Sequence, residues 1–270
     1  MILADKFGNP LRNGISMAQV APVRRPYAWQ SCLDVEGQDV GHYLDYVNQP
    51  LLGIISGEPR RVLELGCAGG RFGQELKLRY PGATVVGIEA GRAAAALAAT
   101  RIDRVICSRI EDIDFAAEGL KEGEFDTLVA ADVFEHLVNP WDALVRARTL
   151  LAPGAQLVAS IPNARNLMVV EALVCAGRYP YAERGLLDIT HLRFFTLIEI
   201  VRMFEETGFR VEGHASTVSP PLVAWHREHR GRAPAKVDVG RMSLSNVTSA
   251  EIDELCAEVF LVRARRAESA

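Results

Sequence analysis

The feature that most constrains this fold is the alternation of short apolar runs with helical stretches between residues 61 and 162. The runs RVLELG, ATVVGIE, FDTLVAAD and AQLVASIP have the length and the β-branched content of buried strands. The intervening segments FGQELKLRY, AGRAAAALAAT and WDALVRARTLL are typical of helices. Strands that alternate with helices pair in parallel and are covered on both faces. The pattern therefore predicts a doubly wound α/β domain.

Local signals mark some of the boundaries. Asn139 followed by Pro140 predicts a helix start, because Asn caps a helix and Pro is tolerated at its first position. Thr196 and Glu199 have the spacing of a capping box, which predicts a second start. Residues 214–247 show little periodicity, and we expect loop structure there.

Length and composition set outer bounds. The chain has 270 residues, of which 49% are hydrophobic, enough for one large core. A formal charge of −4 leaves no basic footprint, which argues against nucleic acid as a partner. The five cysteines are scattered without a C-x-x-C pair, and no apolar run reaches about 18 residues. We therefore expect a cytoplasmic protein without membrane insertion.

Three regions are expected along the chain. Residues 1–40 carry scattered Gly and Pro and predict an irregular N-terminal arm. We expect residues 41–270 to form the α/β domain. Within it, residues at about 163–195 hold a helix and a loop rich in Arg, Tyr and His, which we interpret as a lid over the carboxyl ends of the strands.

The stretch VLELGCAGG, residues 62–70, places a carboxylate, Glu64, directly before a glycine-rich turn. Counted from Gly66, a dinucleotide G-x-G-x-x-G motif would need glycine where Ala68 and Arg71 stand, and no P-loop ending is present. An acid at this place also opposes a polyanion. The turn therefore predicts a ligand other than a polyphosphate.

Glu89 ends the next predicted strand, where an acid in a doubly wound fold can accept both hydroxyls of a ribose. Together with Glu64, it favours a ligand with a ribose, a cationic amino-acid tail and no phosphate. S-adenosylmethionine has this composition.

The motifs ELGCAGG, GIEA, DVFEHLVNP and LLAPGAQLVASIPN, in this order, resemble the class I S-adenosylmethionine-dependent methyltransferases over residues 40–265. The stretch GLLDITHLRFFTLIEIVRMFEETGF resembles the ubiquinone-biosynthesis subgroup and, within it, members associated with glycan modification. The resemblance implies a Rossmann-like seven-stranded, mostly parallel sheet whose last strand is antiparallel. It also implies S-adenosylmethionine as the cofactor.

The resemblance further implies a set of cofactor-binding residues: Tyr43, Glu64, Gly66, Cys67, Ala68, Gly69, Glu89, Ala90, Ile110 and Asp132. Arg109 stands where relatives commonly have an acid that meets the adenine amino group. Either Glu111 or Asp112 takes over that contact, or the backbone of Ile110 makes it alone.

Two histidines raise questions of chemistry. His136 follows Asp132 and Glu135 at a spacing that invites a metal, but the order is not that of a zinc motif, and we expect a pocket role without metal. His191 precedes a predicted helix and is our candidate for the base that activates a hydroxyl; alternatively, it pins its loop through Asp188. The predicted acceptor-binding residues are His136, Asn163, Arg178, Tyr179, Tyr181 and Arg193.

The function expected from these features is methyl transfer from S-adenosylmethionine to a hydroxyl of a sugar or of a glycan-linked small molecule. One alternative is methylation of a quinone, another small aromatic or an amine. A second alternative is a cofactor-binding module without catalysis in a biosynthetic complex. A homodimer is compatible with the exposed aromatic loop.

Overall fold

The computed structural model describes residues 44–232 and 234–268. Tyr43 and the arm at residues 1–40 lie outside the described residues, so their expected roles stay predictions. The helices of the described part are α1 (Gln49–Gly53), α2 (Arg71–Arg79), α3 (Arg92–Ala98), α4 (Pro140–Thr149), α5 (Leu167–Ala176), α6 (Leu197–Glu206), α7 (Val223–Arg230) and α8 (Ser249–Cys256). Single 3-10 turns occupy Phe134–His136 and Pro220–Leu222. No helix in these ranges is long and apolar enough to cross a bilayer.

The strands of the described part are β1 (Arg61–Leu65), β2 (Thr84–Glu89), β3 (Arg104–Cys107), β4 (Phe125–Ala131), β5 (Leu151–Pro162), β6 (Phe209–Val218), β7 (Ala235–Val239), β8 (Met242–Val247) and β9 (Ala257–Arg266). Seven of them form one sheet in the order β3-β2-β1-β4-β5-β9-β6. Strands β1 to β5 pair in parallel, and β9 runs antiparallel to both of its neighbours. The expected mostly parallel sheet with an antiparallel last strand is confirmed.

Both faces of the central strands β1, β2, β4 and β5 are buried, as near-continuous apolar strands predict. On one face, Leu63 and Leu128 pack with α4 and α6 in the largest hydrophobic cluster. On the other, Val62 and Val129 pack with α1 and α2 in a second cluster. Alternate residues of β1 and β4 therefore serve opposite helix layers. This arrangement brings the carboxyl ends of β1, β2 and β4 to one edge.

Both predicted helix starts are confirmed, but only one of them has the predicted capping hydrogen bond. The Asn139 side chain accepts a hydrogen bond from the backbone N–H of Asp142 at 3.1 Å, and Pro140 is in the first turn of α4. At α6, Thr196 makes no side-chain capping bond, so the box with Glu199 does not form. Spacing permits a capping box but does not select the rotamers that close it.

The loop expected at residues 214–247 is also wrong. After β6 the chain forms α7 and then the hairpin of β7 and β8. These short elements bury Leu222, Val237 and Val247 against α8 in a third hydrophobic cluster. Their stability comes from mutual packing, which short-range periodicity does not reveal.

Residues 163–195 form a segment that leaves the sheet and whose two ends lie side by side. Its two ends meet in a bridge between Asn163 and Phe195, where the Ala164 N–H donates to the Phe195 carbonyl at 2.8 Å. Between them lie α5 and an irregular segment that leads to α6. The segment returns beside the end of β4, and its role as a lid stays a prediction.

Candidate active site

The loop after β1 is a tight turn that only small residues fit. Gly66, Ala68 and Gly70 have φ values of +62°, +46° and +74°, a region that glycine favours. A Cβ on Gly69 would lie 2.5 Å from the carbonyl oxygen of Leu44. This close approach leaves a shallow cradle lined by backbone groups at the start of α2.

Glu89 joins this loop to the next one. Its Oε2 accepts a hydrogen bond from the Ala68 N–H, and its Oε1 accepts one from the Gly91 N–H, each at 2.8 Å. Each carboxylate oxygen has two lone pairs, so both retain an acceptor site. The carboxylate is therefore held in place and can still accept two ribose hydroxyls.

Glu64 lies beneath the loop, not in it. Its side chain is 2% exposed, and its Oε2 faces α2 at Gly73 without a hydrogen-bond partner. Burial, reinforced by the negative charge of Glu89, raises the pKa of Glu64 to about 8. At neutral pH the carboxyl is mostly protonated. Its expected contact with a cationic ligand tail thus stays a prediction, and its position is that of a support for the turn.

The predicted adenine side holds the residue that departs from the family pattern. Arg109 lies 3.5 Å from the carboxylates of both Glu111 and Asp112. Glu111 also accepts a hydrogen bond from the Val138 N–H at 3.0 Å. Ile110 is buried between these groups. Both acids lie near Arg109, and the Ile110 carbonyl accepts a hydrogen bond from Arg146 at 3.2 Å, so the expected adenine contact stays a prediction.

A feature missed by the sequence analysis covers the cradle. Arg101 donates through one guanidinium nitrogen to the carbonyls of Leu44 and Gly69, at 2.9 Å each, and its other nitrogen lies 2.7 Å from Asp45. Arg101 therefore fixes the chain before α1 over the glycine-rich turn. Tyr46 lies in the same covering segment and is exposed. No local motif marks either residue.

Asp132 ends β4 with a left-handed φ of +55°. Its N–H donates to the carbonyl and the hydroxyl of Ser160, and that hydroxyl donates to Asp132 Oδ1 at 2.9 Å. Burial raises the pKa of Asp132, and the Ser160 hydrogen bond, His136 and Asn48 oppose the rise. This bend turns the chain sharply into the 3-10 turn Phe134–His136.

Glu135 is a buried acid of the site whose carboxyl group lacks hydrogen bonds. Its side chain is 1% exposed, and neither carboxylate oxygen has a hydrogen-bond partner. Burial and the charges of Asp132 and Asp188 raise its pKa well above the ordinary value. Its backbone carbonyl accepts the N–H groups of Leu192 and Arg193, at 2.7 and 3.0 Å. These bonds dock the returning lid segment on the turn.

The docking brings the two predicted histidines together. The rings of His136 and His191 are perpendicular, with centroids 4.8 Å apart. His191 is 9% exposed, and burial, with His136 second, lowers its pKa to about 4. Glu135, His136 and His191 each place one potential ligand atom within 4.8 Å of the others. The expectation that the site works without metal stays a prediction.

Aromatic side chains form a rim beside the histidines. Tyr179 packs edge-on against Tyr181 and Phe194, with ring centroids 5.3 and 5.4 Å away. Burial raises the pKa of Tyr179 to about 12, while Tyr181 and Phe194 are exposed. Arg178 is exposed next to this rim. Arg193 bends back to the carbonyls of Leu192 and Val138.

The structure corrects the prediction for one acceptor-binding residue. Asn163 is 0% exposed, and its amide group donates to the carbonyls of Glu254 and Ala257 while its oxygen accepts from the Arg165 N–H. The amide NH₂ group thus holds β5 to α8 and β9, and the oxygen holds the local turn. A side chain without exposed surface has no contact to offer an acceptor, so this prediction is wrong.

Comparison with known proteins agrees with this geometry. The family described as "Methyltransferase domain" matches residues 40–214. A ubiquinone biosynthesis O-methyltransferase of Roseobacter denitrificans is 29% identical over 201 residues, 70% of this chain and 78% of that protein. The O-antigen chain terminator bifunctional methyltransferase/kinase WbdD of Escherichia coli is 39% identical over 87 residues, 31% of this chain and 12% of that protein.

Among solved structures, a SAM-dependent methyltransferase from Archaeoglobus fulgidus superposes with a TM-score of 0.54. It is 19% identical, and the match covers 80% of this chain and 90% of that one. Sheet order, the glycine-rich turn and the acid after β2 define an S-adenosylmethionine-dependent methyltransferase. The chain belongs to the methyltransferase-domain family, and the expected cofactor and enzyme class are confirmed.

Proposed function

We propose that this enzyme methylates a hydroxyl of a sugar or of a glycan-linked small molecule. The observation that carries the proposal is an exposed polar side chain beside an aromatic rim. His136 is exposed and its ring contacts that of His191, which lies 6.5 Å from the ring of Phe194, and both Phe194 and Tyr181 expose ring surface. A sugar donates O–H groups along its edge and presents C–H groups on its face, so it matches both.

The relatives support two acceptor classes. The name of the Escherichia coli relative refers to O-antigen, a glycan, and favours the first. The name of the Roseobacter relative refers to ubiquinone, and one observation favours a quinol-type acceptor as the second candidate. Met168, Leu173 and Val174 are exposed on α5, an apolar surface that suits a hydrophobic tail. The charged and tyrosine-rich rim favours the sugar.

The geometry supports a set of proposed roles on the cofactor side. S-adenosylmethionine supplies an electrophilic methyl group. Glu89 would hold the ribose, and the turn from Gly66 to Gly69 would pack under the methionine part. Asp132, fixed by Ser160, would face the amino-acid end. Arg101, which holds the covering segment on the turn, would help to exclude water.

The acceptor side would position the hydroxyl in line with the methyl group. Alignment of two bound reactants is the main contribution a protein makes to such a displacement. A hydroxyl also needs a base, because its own pKa is far above 7. The base expected from the sequence, His191, is buried and has a pKa of about 4, which makes it a weak proton acceptor at neutral pH.

The test is methyl transfer from labelled S-adenosylmethionine to a panel of UDP-sugars, methyl glycosides and catechol. We expect transfer to at least one sugar and less to catechol. Tyr181→Phe, which keeps the aromatic ring and removes only the hydroxyl, is assayed beside the wild type as a control. Transfer to catechol alone would favour the second candidate, and transfer to neither class by a protein that binds the cofactor would contradict both.

A further inference from the structure

We propose that the two-residue turn of the β7–β8 hairpin, through Arg241, fixes the end of α5 and with it the aromatic rim around Tyr179. Arg241 is then a positioning residue, which acts on the acceptor through the rim and does not contact it. The inference rests on the proposed function in one respect, because only that proposal makes the rim a surface for the acceptor.

The end of α5 needs a partner from outside the helix. The last four carbonyl groups of a helix have no partner within it, and α5 has no basic residue in its own last turn. Arg241 supplies the missing group, since its guanidinium donates to the carbonyl of Cys175. A cation at this end also interacts favourably with the helix dipole. The hairpin turn thus caps a helix whose end lies 66 residues away along the chain.

The backbone of the turn also lies against α5. The Arg241 N–H donates to the Cys175 sulfur at 3.4 Å, and that thiol donates to the Val239 carbonyl at 3.7 Å. Gly240 has a φ of +56°, and a Cβ there would lie 3.0 Å from Glu171 Oε1 and 3.1 Å from the Cys175 sulfur. Glycine is therefore required at this contact, because a larger residue would push the turn away from the helix.

The start of α5 is fixed independently of the turn. Leu167 is buried in the third hydrophobic cluster, and the Asn166 side chain caps the helix by accepting the Met168 N–H at 3.1 Å. Along the outer face, in contrast, Met168, Leu173 and Val174 are exposed. Since one face of α5 is open to solvent, the position of the helix depends on its two ends, and the hairpin turn holds the second one.

The end of α5 leads directly into the aromatic rim. Gly177 closes the helix with a φ of +61°, and the Arg178 N–H donates back to the Ala172 carbonyl at 3.0 Å. Tyr179 is the next residue, and its ring packs edge-on against Phe194 with centroids 5.4 Å apart. A shift of the helix end therefore moves Tyr179, because only Gly177 and Arg178 separate it from the helix.

The first test needs neither cofactor nor acceptor. Hydrogen exchange of the free protein, measured by mass spectrometry, reports the protection of the amides at residues 175–181. We expect Arg241→Ala to raise exchange there about three- to tenfold, and Arg241→Lys, which keeps a donor and the charge, to restore most of the protection. Lys236→Ala, which removes an exposed ion pair with Asp238 on the same hairpin, is the matched control. Unchanged exchange in Arg241→Ala would overturn the inference.

A second variant tests the same contact without removing the charge. Gly240→Ala places a methyl group where Glu171 and Cys175 lie, so exchange at residues 175–181 should rise as in Arg241→Ala. Gly119→Ala is the matched control, because Gly119 has a φ of +70° and open space around its Cβ position. If Gly240→Ala and Arg241→Ala raise exchange only within the hairpin, the turn does not hold α5 and the inference is wrong.

The third test uses whichever acceptor, sugar or catechol, the panel identifies. Arg241→Ala should raise the KM for that acceptor about three- to tenfold and leave kcat and S-adenosylhomocysteine affinity within about twofold. Arg241→Lys should restore the KM. A residue that acts through the rim has little further effect in a Tyr181→Ala background, so additive changes in KM would contradict this role.

Failure of the proposed function is distinguishable from failure of this inference. If no acceptor of the panel is methylated, the proposed function is contradicted, and hydrogen exchange still decides whether Arg241 holds the end of α5 and the rim. If a sugar is methylated, but Arg241→Ala lowers the affinities for cofactor and acceptor equally, Arg241 is not a positioning residue of the rim.

Discussion

The two halves of the site are built differently. The cofactor half consists of backbone groups in adjacent loops, and both oxygens of Glu89 have N–H partners. The proposed acceptor half consists of side chains from two distant segments, and both oxygens of the buried Glu135 lack an N–H partner. The first half is complete before its ligand arrives. In the second half, a buried carboxyl group lacks hydrogen bonds, and buried polar groups are costly to leave unpaired.

This difference places stability and specificity in separate parts of the molecule. Replacements in the cofactor half should change cofactor affinity or folding. Replacements in the acceptor half should change turnover while the cofactor still binds. The following variants test that separation, from the largest expected effect to the smallest.

Glu64→Gln should remove a pH-dependent loss of stability. Burial raises the pKa of Glu64 from 4.5 to about 8. Its contribution to the free energy of unfolding is therefore fully present below pH 4.5 and is lost as pH rises toward 8. The free energy of unfolding of the variant relative to the wild type should grow by up to about 4 kcal/mol between pH 5 and 8. Urea titrations at both pH values measure it, with Glu75→Gln on α2 as the control. Parallel pH dependences in the two proteins would contradict a protonated Glu64.

Glu89→Ala should abolish most cofactor affinity. The change removes two charge-assisted hydrogen bonds to the loops and the contact proposed for the ribose, and we expect a loss of about 100-fold or more, roughly 3 kcal/mol. Calorimetry with S-adenosylmethionine and S-adenosylhomocysteine measures it. Glu58→Ala, at an exposed acid remote from the loop, is the control. Affinity within threefold of wild type would remove Glu89 from the cofactor site.

Arg101→Ala should loosen the covering segment. The variant loses the bonds to Leu44, Gly69 and Asp45, and we expect cofactor affinity to fall about tenfold, roughly 1 to 2 kcal/mol. Hydrogen exchange at residues 44–48 should increase in the same variant. Arg104→Ala, at a neighbouring surface ion pair, is the matched control. Weaker binding with unchanged exchange would argue for a direct contact of Arg101 instead.

Tyr181→Ala should have the smallest effect and act only on the acceptor half. The side chain is exposed and packs edge-on against Tyr179. Loss of a stacking surface should raise the KM for the acceptor severalfold, about 1 kcal/mol, with unchanged cofactor affinity. Tyr181→Phe should retain most of the wild-type KM. Equal effects on cofactor and acceptor would show that the two halves are not independent.

Much of the fold was predictable because its signals are local. The strand runs, the helices between them and the cap at Asn139 each depend on residues a few positions apart. The proximity of Glu89 to the glycine-rich turn follows from the same regularity, since the carboxyl ends of parallel strands lie at one edge of the sheet. By contrast, the hairpin of β7 and β8 depends on packing against α8 and had no comparable local signal.

For the acceptor half, the sequence predicted which residue types take part but not how they are arranged. The sequence named His136, His191 and Asn163 as polar groups near strand ends, yet the structure buries Asn163 between β5 and α8. It also gives the two histidines unequal surroundings. Which imidazole is exposed, and which nitrogen carries its proton, depends on contacts that no spacing rule encodes.

The sequence by itself determined the strand–helix alternation, the small-residue turn after β1 and the acid after β2, because each is set by neighbours along the chain. Only the tertiary structure decided that Arg101 closes the cradle, that Glu135 is buried without a partner, and that Thr190 meets His136 across 54 residues. The physical reason is the separation along the chain of the residues that determine each property. Backbone conformation responds to adjacent residues, whereas burial, pKa and tautomer respond to whatever the fold brings within a few ångströms.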